Sequence, residues 1–160
     1  MEKIASFTID HDILTPGLYL SRVDGDITTY DLRFVKPNVP PYLPNPVMHT
    51  IEHLFATLAR NEAGLKERVI YFGPMGCRTG FYFLVRDSRH EEVIDFVRRA
   101  MQQIAQWEGI IPGAEYSWEC GNYKEHDLAE ARTWAAAYAQ VLAEWTVDRL
   151  TYPKAESVRS

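Results

Sequence analysis

The 160-residue chain contains only two cysteines, so no disulfide framework holds it together. Each thiol must instead be weighed as a nucleophile, base, metal ligand or packing group. No stretch approaches about 18 uninterrupted apolar residues, so nothing in the sequence reads as a membrane-crossing helix. Met1-Glu2-Lys3-Ile4-Ala5-Ser6 lacks the basic-then-apolar order of a secretory signal, and a cytoplasmic location is the expectation. Lysine and arginine never run longer than a pair and the formal charge is −5, which argues against nucleic acid or an anionic membrane surface as the partner. Internal repeats and low-complexity linkers are absent too. What is present is a length and an apolar fraction of 46% suited to one domain with its own core, acting on a small molecule.

Thr15 to Val23 and Asp26 to Val35 read as strands joined at Asp24-Gly25, a dipeptide that accepts the positive φ of a tight hairpin. Pro37, Pro40, Pro41, Pro44 and Pro46 then break regular structure. Asn45 is placed to cap a helix running to about Asn61, with Pro46 at its first position. Arg68 to Gly73 and Gly80 to Arg86 are two further strands, separated by the glycine-bearing turn that carries Cys77. Ser88 is placed to cap an amphipathic helix whose apolar positions run from Val93 to Trp107, and Asp127 opens an alanine-rich helix to about Thr146. These elements predict an α+β fold: an antiparallel β-sheet packed against helices in a single-domain sandwich over residues 1–160, with about 148–160 as a frayed tail.

The chemistry concentrates on the first helix. At about 100° per residue, His49, Glu52 and His53 fall at roughly 0°, 300° and 40°, and Arg60 at roughly 20°. Val47, Ile51, Leu54, Phe55 and Leu58 cluster between about 140° and 240°. One side is apolar and the other carries two imidazoles, a carboxylate and a guanidinium. Histidines four apart can share one divalent cation, but such a site needs a third protein ligand and, for catalysis, an open position. Cys120, in Glu119-Cys120-Gly121-Asn122, is the candidate third ligand, and a His/His/Cys set suits zinc, iron(II) or cobalt. Glu52 is placed as a general acid/base beside the cation. Cys77, in a glycine-bearing turn beside Arg78, is placed as a second base if its thiolate is available near neutral pH.

Each of these residues also has a plainer role. The histidines suit a polar helix surface, Glu52 a solvated carboxylate, Cys120 a buried apolar side chain and Cys77 a structural turn. Ser6, His11 and Arg33 taken singly suit caps, turns or surface positions. Two other functions share the helix motif. One is an inverted-motif zinc metallopeptidase, which leaves Cys77 without a task. The other is a non-catalytic metal or small-molecule binding module, whose fourth coordination position a protein residue closes.

Five motifs occur together. Ser6-Phe7 with Asp10-His11, Asp31-Leu32-Arg33-Phe34, His49-Thr50-Ile51-Glu52-His53, Pro74-Met75-Gly76-Cys77 with Thr79-Gly80, and Glu119-Cys120-Gly121-Asn122 with His126-Asp127 stand in one order along nearly the whole chain. In this combination the chain resembles S-ribosylhomocysteine lyase, the LuxS family. The resemblance implies cleavage of S-ribosyl-L-homocysteine to L-homocysteine and 4,5-dihydroxy-2,3-pentanedione, the autoinducer-2 precursor, by carbonyl migration and β-elimination. It implies one divalent metal per subunit, Fe(II) natively with zinc or cobalt as substitutes, held by His49, His53 and Cys120. It further implies that Glu52 and Cys77 are the acid/base pair, that Ser6, His11, Arg33 and Arg60 approach the substrate, and that a homodimer places each active site at the subunit interface. One position departs from the family pattern: Tyr71, six residues before Cys77, stands where an acidic residue is common.

Overall fold

In the computed structural model, which describes residues 1–155, Gly17–Asp24 (β1) and Ile27–Arg33 (β2) pair antiparallel across a two-residue turn. Gly25 takes a φ of +62° there, a value an L side chain resists. β2 then pairs with Gly80–Arg86 (β4), and β4 with Val69–Pro74 (β3), giving an antiparallel sheet in the order β1-β2-β4-β3. Side chains alternate between its two faces. Leu18, Tyr30, Leu32, Phe72, Phe81, Phe83 and Val85 are buried in the core, whereas Asp31, Arg33 and Tyr82 alternate with them on the strands.

Three helices complete that core: Asn45–Ala59 (α1), His90–Ala105 (α2) and Leu128–Val141 (α3). Phe55 of α1 stacks on Phe72 of β3 at 4.1 Å and meets Phe83 of β4 and Phe96 of α2 edge-on at 5.0 and 5.4 Å. Because this ring ties two helices to two strands, Phe55→Ala is expected to lower the unfolding free energy by about 3–5 kcal/mol. Urea unfolding at fixed protein concentration measures it. A loss below about 1 kcal/mol would mean that the cluster collapses around the deletion.

Several helix ends differ from the sequence expectation. Pro44, not Asn45, is the N-cap of α1, and Pro46 is the second helical residue. Arg89 rather than Ser88 precedes α2, because Ser88 turns back to Arg86 O and accepts from Arg68. Asp127 does cap α3, accepting from Glu130 N–H at 2.9 Å. That helix stops at Val141, short of Thr146, because Arg98 of α2 donates to the carbonyls of Leu142 and Trp145 at 2.9 and 3.0 Å. Within the tail expected over about 148–160, a 3-10 turn at Val147–Leu150 buries Leu150, and Tyr152 donates to Asp31 Oδ2 at 2.7 Å. The remaining five positions, 156–160, lie outside the described residues. No helix among the described residues is long and apolar enough to cross a membrane.

Candidate metal centre and adjoining cleft

Helix α1 turns Val47, Ile51, Leu54 and Phe55 into the core, and this leaves His49, Glu52 and His53 half-buried on its other side. The segment between α2 and α3 closes over them. His49 Nδ1 lies 2.9 Å from the Glu125 carbonyl and His53 Nδ1 lies 2.7 Å from that of Pro112. A carbonyl only accepts, so both neutral rings carry their proton on Nδ1 and present Nε2 as a lone pair. Gly113 permits the second contact: its φ is +76°, and a Cβ there would lie 3.1 Å from His53 Nδ1.

A third imidazole joins them from beyond the sequence motif. His126 stacks on His49 with ring centroids 4.1 Å apart and meets His53 edge-on at 4.9 Å. Its tautomer follows from the protons available on Thr50. The single hydroxyl proton of Thr50 goes to Pro46 O at 2.8 Å, so its oxygen must accept from Asp127 N–H and from His126 Nδ1–H, both at 3.0 Å. His126 Nε2 is then a bare lone pair, and it is the one buried side-chain nitrogen or oxygen without a hydrogen-bond partner among the described residues. Burying such an acceptor unpaired costs about 1–3 kcal/mol. Burial, reinforced by His49 and His53, lowers the His126 pKa to about 4, so the ring is neutral at pH 7 and able to bind a cation.

The candidate ligand atoms of His49, His53 and His126 all lie within 4.8 Å of one another. Cys120 joins the cluster through His49, its Sγ 3.3 Å from Nε2. Since His49 carries its proton on Nδ1, the sulfur is the donor in that contact, and a divalent cation binding there would replace the thiol proton. Imidazole nitrogens together with a thiol form a donor set that fits zinc, iron(II) or cobalt, and the orphaned Nε2 of His126 is satisfied by a cation at the same place. The expected ligands His49, His53 and Cys120 are thus brought together. His126 stands in the fifth motif but carries no role in the sequence reading, because nothing local predicts its contact with Thr50, 76 positions earlier.

A second set of nominated residues meets elsewhere. Ser6, His11, Arg33 and Cys77 line one cleft of about 550 Å³, together with Thr79 and Tyr82. Cys77 is exposed on a turn in which Arg78 adopts a φ of +61°, an uncommon conformation for a residue other than glycine. Arg33 is 2% exposed and is held by Asp31 through contacts of 2.6 and 3.1 Å. Burial works against its charge, but the Asp31 carboxylate outweighs that and raises the guanidinium pKa above its ordinary value. His11 donates from Nδ1 to Ile9 O at 2.9 Å, leaving Nε2 as a lone pair in the neutral ring.

Glu52 is half-buried and makes no hydrogen bond or ion pair among the described residues, so its carboxylate is uncommitted. Arg60 is exposed at the C-cap of α1. Tyr71 lies on edge strand β3, half exposed, with its ring folded along Gly73, where a Cβ would lie 2.0 Å from the phenol oxygen.

The family model of S-ribosylhomocysteinase (LuxS) matches residues 4–149. Among curated proteins, the chain is 45% identical over 158 residues to the S-ribosylhomocysteine lyase of Borreliella burgdorferi (strain ATCC 35210 / DSM 4680 / CIP 102532 / B31), a match covering 96% of this chain and 100% of that one. It is 44% identical over 159 residues to the lyase of Clostridium acetobutylicum, with 96% and 100% covered. Against the lyase of Desulfotalea psychrophila it is 45% identical over 159 residues, with 96% and 99% covered.

Proposed function

The chain belongs to the LuxS family of S-ribosylhomocysteinases, and from that premise we propose that it cleaves S-ribosyl-L-homocysteine to L-homocysteine and 4,5-dihydroxy-2,3-pentanedione, the autoinducer-2 precursor. It is a carbon–sulfur lyase. The observation that carries this reading is the imidazole and thiol cluster of His49, His53, His126 and Cys120, formed in a chain that matches the family from residue 4 to residue 149.

The carbon–sulfur bond of the substrate is unactivated until the carbonyl reaches carbon 3, three bonds from sulfur, and acidifies the hydrogen on carbon 4, whose loss expels the thiolate from carbon 5. A bound divalent metal, Fe(II) in this reading, supplies Lewis-acid polarisation of the sugar oxygen. His49, His53 and Cys120 would hold it. The rest of the work is proton transfer at successive carbons, which a single fixed base reaches poorly. Cys77 and Glu52 divide it: the thiolate takes a proton in the earlier carbonyl shift, and the carboxylate serves the later transfers and the elimination. Ser6 and His11 offer polar groups to the sugar hydroxyls from the cleft wall, and Arg60 offers a cation to an anionic end of the substrate.

The working unit in this reading is a homodimer with active sites at the interface. Two features support it. Cys77 opens into a cleft with the N-terminal loop, whereas His126 lines a different groove with Ile110, Tyr123 and Leu128. Large apolar side chains stand exposed beside both, Phe7 at the first and Ile110 at the second. Sedimentation at working concentration should give twice the chain mass, and a fully active monomer would refute the assembly.

One observation favours a closed, non-catalytic metal site: His126 adds a fourth protein donor beside His49, His53 and Cys120. Incubating metal-loaded protein with S-ribosylhomocysteine while assaying free thiol decides between the readings. Thiol release in step with metal content supports the lyase. No release from fully loaded, folded protein supports the closed site.

A further inference from the structure

Cys77 is the end of a hydrogen-bonded chain that starts in the C-terminal segment. Tyr152 donates to Asp31 Oδ2 at 2.7 Å, and Asp31 receives Arg33 through Nε at 3.1 Å and Nη2 at 2.6 Å. Arg33 Nη1 donates to Thr79 Oγ1 at 2.8 Å, and that oxygen lies 3.1 Å from Cys77 Sγ. Asp31, Arg33 and Thr79 are 0%, 2% and 3% exposed, so water does not compete for these contacts. One close approach builds the chain. Arg33 pairs with Gly80 across β2 and β4, and a Cβ on Gly80 would lie 2.2 Å from Leu32 O. Only glycine lets the strands come near enough to set Thr79 against the guanidinium.

The direction of each proton follows from the inventory. A guanidinium has no acceptor, so Thr79 must accept from Arg33, which leaves the one hydroxyl proton of Thr79 free to donate. Cys77 Sγ is the acceptor in reach. A hydroxyl polarised by a buried cation and aimed at sulfur favours a thiolate over a thiol, because a hydrogen bond to the charged form is the stronger one. We propose that Thr79 is a positioning residue that relays the charge of Arg33 to the Cys77 thiolate, with Asp31 and Tyr152 as the outer anchor that holds Arg33 in place. This rests on the reading of Cys77 as a base. It makes the docked C-terminal segment part of the active site's support, and it gives the buried guanidinium a task that direct contact with substrate does not. Burial, reinforced by Asp31, holds the Tyr152 phenol well above its ordinary pKa, so it remains a donor across the working range. The other charged and titratable groups around Cys77 are His11 from the N-terminal loop, Tyr42 from the segment before α1, Tyr82 from β4 and neighbouring Arg78. Arg78 lies over the Tyr42 ring at 5.8 Å.

The test is the pH dependence of Cys77 alkylation by iodoacetamide in metal-loaded protein, read on the Cys77 peptide by mass spectrometry. Thr79→Val keeps the shape and removes the relay, and should raise the midpoint by about one pH unit or more. Thr79→Ser keeps a hydroxyl and should restore the wild-type midpoint. Tyr152→Phe keeps the stacking of its ring on Tyr19 at 5.1 Å, loses only the hydroxyl, and should shift the midpoint in the same direction by less. In turnover, Thr79→Val should lower kcat about tenfold or more with KM little changed. An unmoved midpoint in folded Thr79→Val overturns the relay. If that variant fails to fold, an unmoved midpoint in Tyr152→Phe overturns it instead. Full thiol release by Cys77→Ala beside a shifted midpoint in Thr79→Val would instead remove the base role and leave the relay standing.

Discussion

Cys77→Ala and Glu52→Gln should each retain the metal and bind substrate near normally, yet lower product formation by about two or more orders of magnitude. The structure supports sparing the metal in both cases. Cys77 sits in the cleft with Arg33 and Thr79, while the Nδ1 anchors of the metal-type histidines come from Glu125, Pro112 and Thr50, none of which either substitution touches. Glu52→Gln preserves shape and polarity and removes basicity. Its carboxylate has no hydrogen bond or ion pair among the described residues to lose, so a fall in rate reports chemistry rather than folding. The two failures should differ in kind. In heavy water, Glu52→Gln should still exchange the hydrogen on carbon 2 of the substrate, because the earlier transfer belongs to Cys77, and Cys77→Ala should exchange it far more slowly. Near-normal thiol release by Cys77→Ala would end the two-base mechanism. Equal exchange by both variants would end the assignment of steps.

Loss of the metal together with activity is the expected result for His49→Ala, His53→Ala and Cys120→Ala, since each removes one of three proposed ligands. His126→Ala should behave differently. If its Nε2 supports the site from beside the ligands, metal affinity should fall about 10–100-fold without abolishing binding, as for residues that orient a coordination sphere. The protein should remain folded in all four variants, because none of these side chains lies in the apolar core. Metal content after exhaustive dialysis, measured by emission spectroscopy, checks all four. Stoichiometric metal in Cys120→Ala beside complete loss in His126→Ala would show that the three imidazoles, and not the thiol, form the site. That result would recast Cys120 as a donor to His49.

Local periodicity was enough to expose half of this site. His49, Glu52 and His53 share a helix face because residues three and four apart must do so on any α-helix. The apolar stripe of Val47, Ile51, Leu54 and Phe55 then settles which face turns outward. Strand β4 runs from Gly80 to Arg86 as its β-branched and aromatic residues predict, and Asp127 caps α3 because its short carboxylate reaches an amide three residues on. These are interactions within a few residues, where residue types alone constrain the geometry. The assignment to a family came from five motifs standing in order, which is a property of sequence and needs no coordinates.

The remaining features depend on contacts between distant parts of the chain. Thr50 reads as an ordinary helical threonine, but its hydroxyl spends its proton on Pro46 O and so sets the tautomer of a histidine 76 positions away. Arg33 reads as a candidate for binding substrate, but the pairing of β2 with β4 sets it against Thr79, and a tyrosine from a segment expected to fray caps its counter-ion. Helix faces follow from a period that every residue carries. Strand register and the docking of the C-terminal segment follow from which long-range packing buries most surface and leaves fewest polar groups unpaired, and only the folded chain decides that.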